Sequence, residues 1–370
     1  MSPRTRRAIE EGLLPTLAAL LVALVAGDLL ILSYGQAPGA VWRLMLDGTW
    51  GNAYGIGQVL YKATTLAFTG LAVAVGLRAG LFNIGAESQL AAGGFAAALM
   101  GLALPPLLGP WTAIPLCIAA AAAGGGLVGL VPGLLRARFG AHEVIATIML
   151  NFVVLAFVNW AMASGGLAVP ETLHTRAIPH AAIPRLASAF PAFHGSAANF
   201  TIVLALVAAA AVAWILFRTR FGYELRAVGL QPEAAENGGI RVPRTWLLAM
   251  VASGAIAGMG GVNFVLGYKG YFEDGFTGGA GFLGIAVALV GRNHPLGVVL
   301  AALFFATLSQ GGLAIHALVP KQMVEVLEGV VILAVAMSVP EVRRLLQRRP
   351  RAATPAAPAA PSPVPATADG

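Results

Sequence analysis

Long apolar stretches recur along the chain and are separated by short polar segments. Most contain about 20 residues, the length that an α-helix needs to cross the ~30 Å hydrocarbon core of a bilayer. A transmembrane β-barrel would instead show segments of about ten residues with alternating polarity. We therefore predict an all-α fold, a polytopic membrane bundle of about ten transmembrane segments. The predicted spans are residues 13–32, 57–77, 84–104, 111–135, 143–163, 200–217, 245–267, 280–291, 295–314 and 322–339.

The eighth predicted span, residues 280–291, is too short to cross the membrane by itself. Four glycines surround its start, namely Gly278, Gly279, Gly281 and Gly284. Irregular backbone at membrane depth is tolerated where it lines a cavity or is covered by protein. We predict a broken or half-spanning helix here.

The composition agrees with an integral membrane protein, since 58% of the residues are hydrophobic and 11% are charged, with a mean hydropathy of +0.80. Soluble globular proteins are far more polar.

The chain divides into a short N-terminal segment (1–12), a membrane domain (13–340) and a Pro- and Ala-rich tail (341–370) that we predict to be disordered. The N-terminal arginines and the first apolar run also fit a cleavable signal peptide. We favour a retained helix, because cleavage would break the alternation of arginine-rich loops.

The basic residues give the predicted bundle an orientation. Of the 23 Lys and Arg residues, 17 fall in one alternate set of segments and 6 in the other. Positive residues accumulate in cytoplasmic loops, so both termini and the loop at about 218–244 are predicted to be cytoplasmic, and the loop at about 164–199 to be outside. The net charge of +7 is then a signal of topology. Nucleic acid is not a predicted partner, because the arginines are scattered over six loops without interleaved aromatic residues.

A short polar island, residues 231–240, lies between two long apolar spans. Its proline suits the first position of a helix, and its first glutamate would lie near the positive end of the helix dipole. Two alanines keep its surface flat, and its last glycine can adopt the left-handed conformation that ends a helix. We predict a stub of one or two turns; an ordinary connecting loop is the alternative. The residues singled out are Pro232, Glu233, Ala234, Ala235 and Gly239.

The sequence lacks the patterns of common enzyme sites. A phosphate-binding loop reads Gly-x-x-x-x-Gly-Lys-Ser/Thr, and none of the three lysines fits it. His142-Glu143 lacks the second histidine of a zinc-protease helix. Cys117 is the single cysteine, which excludes an intrachain disulfide and a Cys-rich metal site. We predict no catalytic residue, no metal and no cofactor.

Polar residues inside the predicted spans are few. A charged residue there costs ~2.5–3.5 kcal/mol on insertion scales, so its default interpretation is functional. Uncharged amides that line a cavity would suit a neutral, hydrogen-bonding solute. The candidates for a solute pathway are Asn83, Glu87, Gln89, Asn151, Asn159 and Glu328.

Each of these candidates also has a structural interpretation. Glu87 could cap backbone N–H groups or pair with an arginine, which we rank ahead of contact with solute. Asn151 and Asn159 are eight residues apart and should face roughly the same way, and either a cavity or interhelical hydrogen bonds would use them. Glu328 could lie with Glu325 at a water-exposed helix end. The spans contain no buried arginine that could bind a carboxylate or phosphate, although N–H groups at a broken helix could still bind a carboxylate.

Four stretches, in this order, resemble one branch of the ABC-importer permeases, which serves ribose-type sugars, branched-chain amino acids and nucleosides. Together they extend over roughly residues 60–340, and the second is most similar to nucleoside-type (simple-sugar-type) permeases. The stretches are residues 80–89 (Gly-Leu-Phe-Asn-Ile-Gly-Ala-Glu-Ser-Gln), 142–151 (His-Glu-Val-Ile-Ala-Thr-Ile-Met-Leu-Asn), 231–240 and 281–289 (Gly-Phe-Leu-Gly-Ile-Ala-Val-Ala-Leu).

The resemblance implies a permease subunit of the bacterial inner (plasma) membrane that moves nucleosides, or another small neutral polar solute, into the cytoplasm. The implied partners are a second permease subunit, identical or paralogous, an extracytoplasmic solute-binding protein, and cytoplasmic ATPase subunits that hydrolyse ATP and dock on the Glu233 loop. In this loop Glu236-Asn237-Gly238 is more polar than in such relatives. The alternatives are a pentose or simple-sugar permease and, from another class, an ion-coupled secondary transporter with Glu87 or Glu328 as its ion site.

Overall fold

The computed structural model describes residues 14–105, 107–316, 318–320, 322, 325–330 and 333. The apolar runs form helices whose ends carry the residues expected there, with a proline in the first turn of several of them. The helices are α1 (Leu14–Ser33), α2 (Pro38–Thr49), α3 (Ala53–Arg78), α4 (Ala86–Ala103), α5 (Pro110–Phe139), α6 (Glu143–Ser164), α7 (Thr201–Arg218), α8 (Arg220–Leu230), α9 (Pro232–Asn237), α10 (Val242–Phe264, continued by a π-helical turn, Val265–Lys269), α11 (Ala280–Val290) and α12 (Pro295–Ala314).

The prediction of a polytopic helical bundle is confirmed, but the count of ten spans is not. Within the described residues six helices are long and apolar enough to cross a membrane, namely α3, α5, α6, α7, α10 with its π-helical turn, and α12. A seventh is added if Leu24–Ser33 and α2, which meet at an angle of 112°, form one span. α4 is less apolar, because its first turn contains Glu87, Ser88 and Gln89. The tenth predicted span lies largely, and both terminal segments lie wholly, outside the described residues.

The eighth predicted span is a short helix, as expected. α11 has 11 residues, about 16 Å at ~1.5 Å per residue, half of a hydrocarbon core. The backbone before it is left-handed at Gly278 (φ 50°) and Gly279 (φ 83°). Residues with a Cβ rarely adopt this conformation, so the glycines allow the chain to turn abruptly into the helix.

α3 and α10 form the centre of the bundle. In their most apolar stretches 78% and 67% of the residues are buried, against 17% for α6. α6 instead exposes large apolar side chains such as Phe152, Phe157 and Trp160. In a membrane protein such a face contacts lipid or another subunit, because a soluble monomer would not expose so much apolar surface.

Arginine side chains join the helix ends at one side of the bundle, which we call the arginine end. Arg78 donates from Nε to the backbone oxygen of Asn293 (3.0 Å), and its guanidinium also lies over the ring of Phe217. Arg136 lies over the ring of Trp246, 4.8 Å from its centroid, and 3.7 Å from the carboxylate of Glu143. The ends of α3, α5 and α7 therefore meet the starts of α6, α10 and α12 here.

The opposite end is covered by residues 165–199, which we call the cap. Its backbone N–H groups donate to the chain that leaves α10, from Thr175 to Phe272 O (2.8 Å) and from Ile178 to Gly270 O (2.8 Å). Ile183 donates in the same way to Leu266 O (2.9 Å). The cap is thus fixed to the segment that connects α10 with α11.

α5 and α10 approach each other through glycines. A Cβ on Gly125 would lie within van der Waals radii of the backbone of Gly254 and Gly258. Small residues at four-residue spacing permit this close contact between transmembrane helices. By contrast, a Cβ on the adjacent Gly126 would be 3.6 Å from its nearest neighbour, Val251 O, an ordinary contact.

We expect Gly125→Ala to destabilise the protein by about 1–3 kcal/mol, because the added methyl group separates two helix backbones. Gly126→Ala is the matched control and should be neutral, or more stable by up to ~1 kcal/mol, since alanine is the better helix former. Thermal unfolding of both purified variants in detergent measures the difference. Equal melting temperatures would contradict the close packing of α5 on α10.

Two helices were not predicted. α2 was hidden in the loop after the first span, and α8 in the loop at 218–244, because both are short and contain polar residues. α8 begins at Thr219, whose hydroxyl accepts a hydrogen bond from Gly222 N–H (3.2 Å), and it leads directly into α9.

Candidate functional site

A cavity of ≈ 570 Å³ lies in the half of the bundle nearer the cap. Its walls come from α3, the end of α10, the segment that enters α11 with the first turn of that helix, the far end of α12, and residues 325–329. Four aromatic rings and several polar side chains face it. The lining residues used below are Tyr61, Lys62, Thr65, Phe264, Phe276, Gly279, Phe282, Ser309, Glu325 and Glu328.

One wall of the cavity is the backbone at the start of α11, and Glu87 holds it. Glu87 is only 5% exposed. Its Oε1 accepts from Gly279 N–H (3.0 Å) and its Oε2 from Gly281 N–H (2.7 Å). Because the first N–H groups of a helix have no partner within the helix, the carboxylate of α4 caps α11 from a neighbouring element. This geometry corresponds to the structural interpretation of Glu87.

Asn83 and Gln89 form a buried network behind this wall and do not line the cavity. Asn83 Nδ2 donates to Gln89 Oε1 (2.7 Å) and to Ser253 Oγ (2.8 Å). Asn83 Oδ1 accepts from Gly85 N–H (3.0 Å), and Ser253 donates to Ala72 O (2.6 Å). Both amides are fully buried. The network joins α3, α4 and α10.

Asn151 and Asn159 do not share a face, contrary to the expectation. Asn151 is buried on α6, where its Oδ1 accepts from Ser88 N–H (3.2 Å) and its Nδ2 donates to Ile84 O (3.1 Å). Asn159 is exposed, and its amide nitrogen, turned toward Asp274, donates to that carboxylate (2.8 Å). Eight residues rotate a helix by ~800°, which leaves the two side chains about 80° apart. Neither residue lines the cavity.

Of the six predicted pathway residues, Glu328 is the one that lines the cavity in the described structure. It lies there with Glu325 and opposite Lys62, which donates from Nζ to Ser309 Oγ (3.2 Å). Each of these three charged side chains has at least one interaction partner. The described lining of the cavity therefore includes one ammonium and two carboxylates.

Sequence reasoning missed the aromatic residues of the cavity. Phe264 and Phe276 stack with ring centroids 4.9 Å apart and an interplanar angle of 29°. Tyr61 lies 5.2 Å from the ring of Tyr268. Tyr61 and Thr65 are one helical turn apart on α3, a spacing that places them on one face. That spacing was visible in the sequence, but it did not indicate which helix the face would meet.

The predicted stub is observed as α9, at the arginine end. Ala235 is buried against Val228 of α8 and Val242 of α10, whereas Glu233 and Ala234 are exposed. At its C-terminus Ile240 N–H donates to Ala235 O (3.0 Å) and Gly239 is left-handed (φ 83°), an arrangement typical of a helix end. Pro232 occupies the first turn. The stub thus presents Ala234 outward and uses Ala235 to fix itself to the bundle.

A large apolar side chain adjoins the stub and was also missed. Leu230 ends α8 and is 88% exposed. An isolated exposed leucine needs no explanation by itself, but this one lies directly before the stub. Leu230 and Ala234 are thus both exposed at the arginine end.

Comparison with known proteins places this arrangement in a family. Residues 55–336 match the family model described as the branched-chain amino acid transport system / permease component. The guanosine ABC transporter permease protein NupP of Bacillus subtilis is 38% identical over 331 residues, 88% of this chain and 93% of the relative.

Two further relatives are similar over most of their length. The nucleoside ABC transporter permease protein NupB of Lactococcus lactis is 33% identical over 91% of this chain and 93% of the relative. The glucose ABC transporter permease protein TsgB13 of Haloferax volcanii is 33% identical over 85% of this chain and 84% of the relative. The chain belongs to the family of branched-chain amino acid transport system permease components, the membrane subunits of ABC transporters.

Proposed function

We propose that this chain is the permease subunit of an ABC importer that moves nucleosides into the cytoplasm. The observation that carries the proposal is the 38% identity over 88% of the chain to a permease named for guanosine. The cavity of ≈ 570 Å³ supports it, because small-molecule sites have volumes of about 300–1,000 Å³.

The chemistry of the cavity favours an uncharged solute with a flat apolar part. Rings of Phe264, Phe276 and Phe282 face the cavity, and aromatic rings stack on nucleobases with a gain of ~1–3 kcal/mol per base. Hydroxyl and ammonium groups, including Ser309 and Lys62, can bind ribose hydroxyls. Among the described lining residues the carboxylates of Glu325 and Glu328 would repel an anion, because like charges raise each other's energy. The family model is named for branched-chain amino acids, but the three relatives above are named for guanosine, nucleosides and glucose, so the family's name does not fix the solute.

A simple sugar is the second candidate solute. It is favoured by the 33% identity to a permease named for glucose and by the hydrogen-bonding groups of the cavity. A sugar would use the polar wall but would leave much of the aromatic wall without a partner. An ion-coupled carrier is less well supported, because Glu87, one of its two candidate ion sites, is engaged by two backbone N–H groups.

In the proposed assembly the arginine end faces the cytoplasm of a bacterial cell and the cap faces outward. Positive residues are retained on the cytoplasmic side, which supports this orientation. Separate ATPase subunits dock on α9, a second permease subunit completes the pathway, and an extracytoplasmic binding protein delivers solute at the cap. ATP binding moves the stubs as rigid bodies and switches the cavity between its two openings.

Uptake of radiolabelled solutes tests the proposal. In a strain that lacks the gene we expect uptake of guanosine, adenosine and uridine to fall to the background rate. The gene restored on a plasmid, or its Gly126→Ala control variant, should return uptake to the parental rate. Ribose and glucose uptake should not change. Loss of sugar uptake with normal nucleoside uptake would establish the second candidate instead.

A further inference from the structure

The start of α11 is an anion-binding end that opens beside the cavity. Unpaired N–H groups and the helix dipole make such an end attractive to carboxylates and phosphates. Gly279 and Ala280 line the cavity, so a solute in the cavity lies next to these donors. A solute with a carboxylate would be expected to bind here if the N–H groups were free.

The N–H groups of Gly279 and Gly281 are not free, because the carboxylate of Glu87 on α4 accepts hydrogen bonds from both. Its two carboxylate oxygens each accept one N–H, at 3.0 and 2.7 Å. Gly281 has no side chain and packs directly on the backbone of Glu87, where a Cβ would overlap it. The contact therefore depends on the glutamate of α4 and on the glycine of α11 together.

In the part of the chain that the structure describes, Glu87 forms no ion pair. Within the described residues no Lys or Arg nitrogen lies within 4.0 Å of its carboxylate, unlike Glu143, which pairs with Arg136. A buried carboxylate needs a compensating charge or hydrogen bonds. The N-terminus of α11 supplies both, so that the helix end and Glu87 neutralise each other.

We propose that Glu87 is a specificity-determining residue, an internal anion that occupies the anion-binding end of α11 and excludes carboxylate- and phosphate-bearing solutes from it. The proposal rests on the proposed function and deepens it, because it explains why the cavity accepts neutral solutes. With the N–H groups of Gly279 and Gly281 engaged, an incoming anion finds neither of these donors at the helix end and meets the negative charge of Glu87 there. Glu87 does this without touching the solute.

The test uses the full-length chain purified in detergent and formate as a probe. We expect Glu87→Ala to lower the melting temperature and formate to raise it again by about 3 °C or more, since a ligand that binds only the folded state stabilises it. Sodium chloride at the same ionic strength should not do so. Neither the wild-type protein nor the surface variant Asp47→Ala should respond specifically to formate.

A second variant keeps the proposal testable if Glu87→Ala cannot be purified. Glu87→Gln fills the same space, but its NH₂ group faces one of the two N–H donors. We expect hydrogen exchange in the peptide covering residues 276–283 to be at least about tenfold faster than in the wild type, because one hydrogen bond to the helix end is lost.

Three results would overturn the proposal. One is a formate effect on the wild-type protein as large as that on Glu87→Ala, which would mean that the helix end is open. The second is a Glu87→Ala variant without a formate response, and the third is unchanged hydrogen exchange in Glu87→Gln. Neither measurement uses a transported solute, so both would still test the role of Glu87 if the proposed solute were wrong.

Discussion

Ala234→Arg should abolish nucleoside uptake by the complete importer while the chain still folds and inserts. Ala234 is exposed on α9, and in the proposed assembly its small side chain would let the stub enter a groove of the ATPase. An arginine at the centre of that contact would add bulk and a charge to be desolvated. We expect the ATPase to lose affinity by more than about tenfold, or ~1.4 kcal/mol, and uptake to fall to background.

Co-purification of the ATPase with the tagged permease measures this loss directly, beside uptake in cells. Ala234→Ser is the matched control, because it keeps the side chain small and should retain uptake. Normal association of the ATPase with Ala234→Arg would mean that α9 is only a connector. Melting temperature completes the comparison and should be the same for both variants.

The two alanines of the stub have different environments, a distinction that the sequence did not provide. Both alanines were predicted to be contacts of the ATPase, since small side chains in a polar island look equivalent. The structure buries Ala235 against Val228 and Val242 and leaves Ala234 exposed. A bulky residue at Ala235 therefore disturbs the attachment of the stub to its own chain, and any loss of uptake there would be indirect.

The helices could largely be predicted because each is specified locally. The ninth predicted span and α12 coincide at residues 295–314, since a proline begins the apolar run and a polar segment follows it. The glycines around residue 280 likewise predicted the break in the chain before α11. α8 was missed because its 11 residues mix polar and apolar side chains and lie in a loop that the charge pattern treated as one unit.

The cavity could not be predicted, because its walls come from several segments that are far apart in the sequence. Which polar residues face a cavity depends on the rotation of each helix against its neighbours, and a sequence pattern gives only relative angles along one helix. Asn83, Gln89 and Asn151 satisfy one another or nearby backbone instead. Glu328 was the one candidate with a place in the cavity, and it lies near a span end where water is accessible.

The second large expected effect is a loss of stability when the buried amide network of Asn83 and Gln89 is broken. Asn83 is fully buried and takes part in four hydrogen bonds, to Gln89, Ser253 and Gly85. Asn83→Leu removes their partner and introduces a side chain that cannot hydrogen-bond. Each buried polar group left unsatisfied costs about 1–3 kcal/mol, so the loss of several should amount to a large part of a typical stability of ~5–15 kcal/mol.

We expect Asn83→Leu to yield little folded protein, and uptake to be lost in proportion to the amount of protein in the membrane. Asn159→Leu is the matched control, because the same change at an exposed position removes only the contact with Asp274 and should leave yield and melting temperature nearly unchanged. Fluorescence-detected size-exclusion chromatography of both variants measures the folded fraction. A well-folded Asn83→Leu protein with a specific defect in nucleoside uptake would contradict this, since it would move Asn83 from the structural network back to the solute pathway.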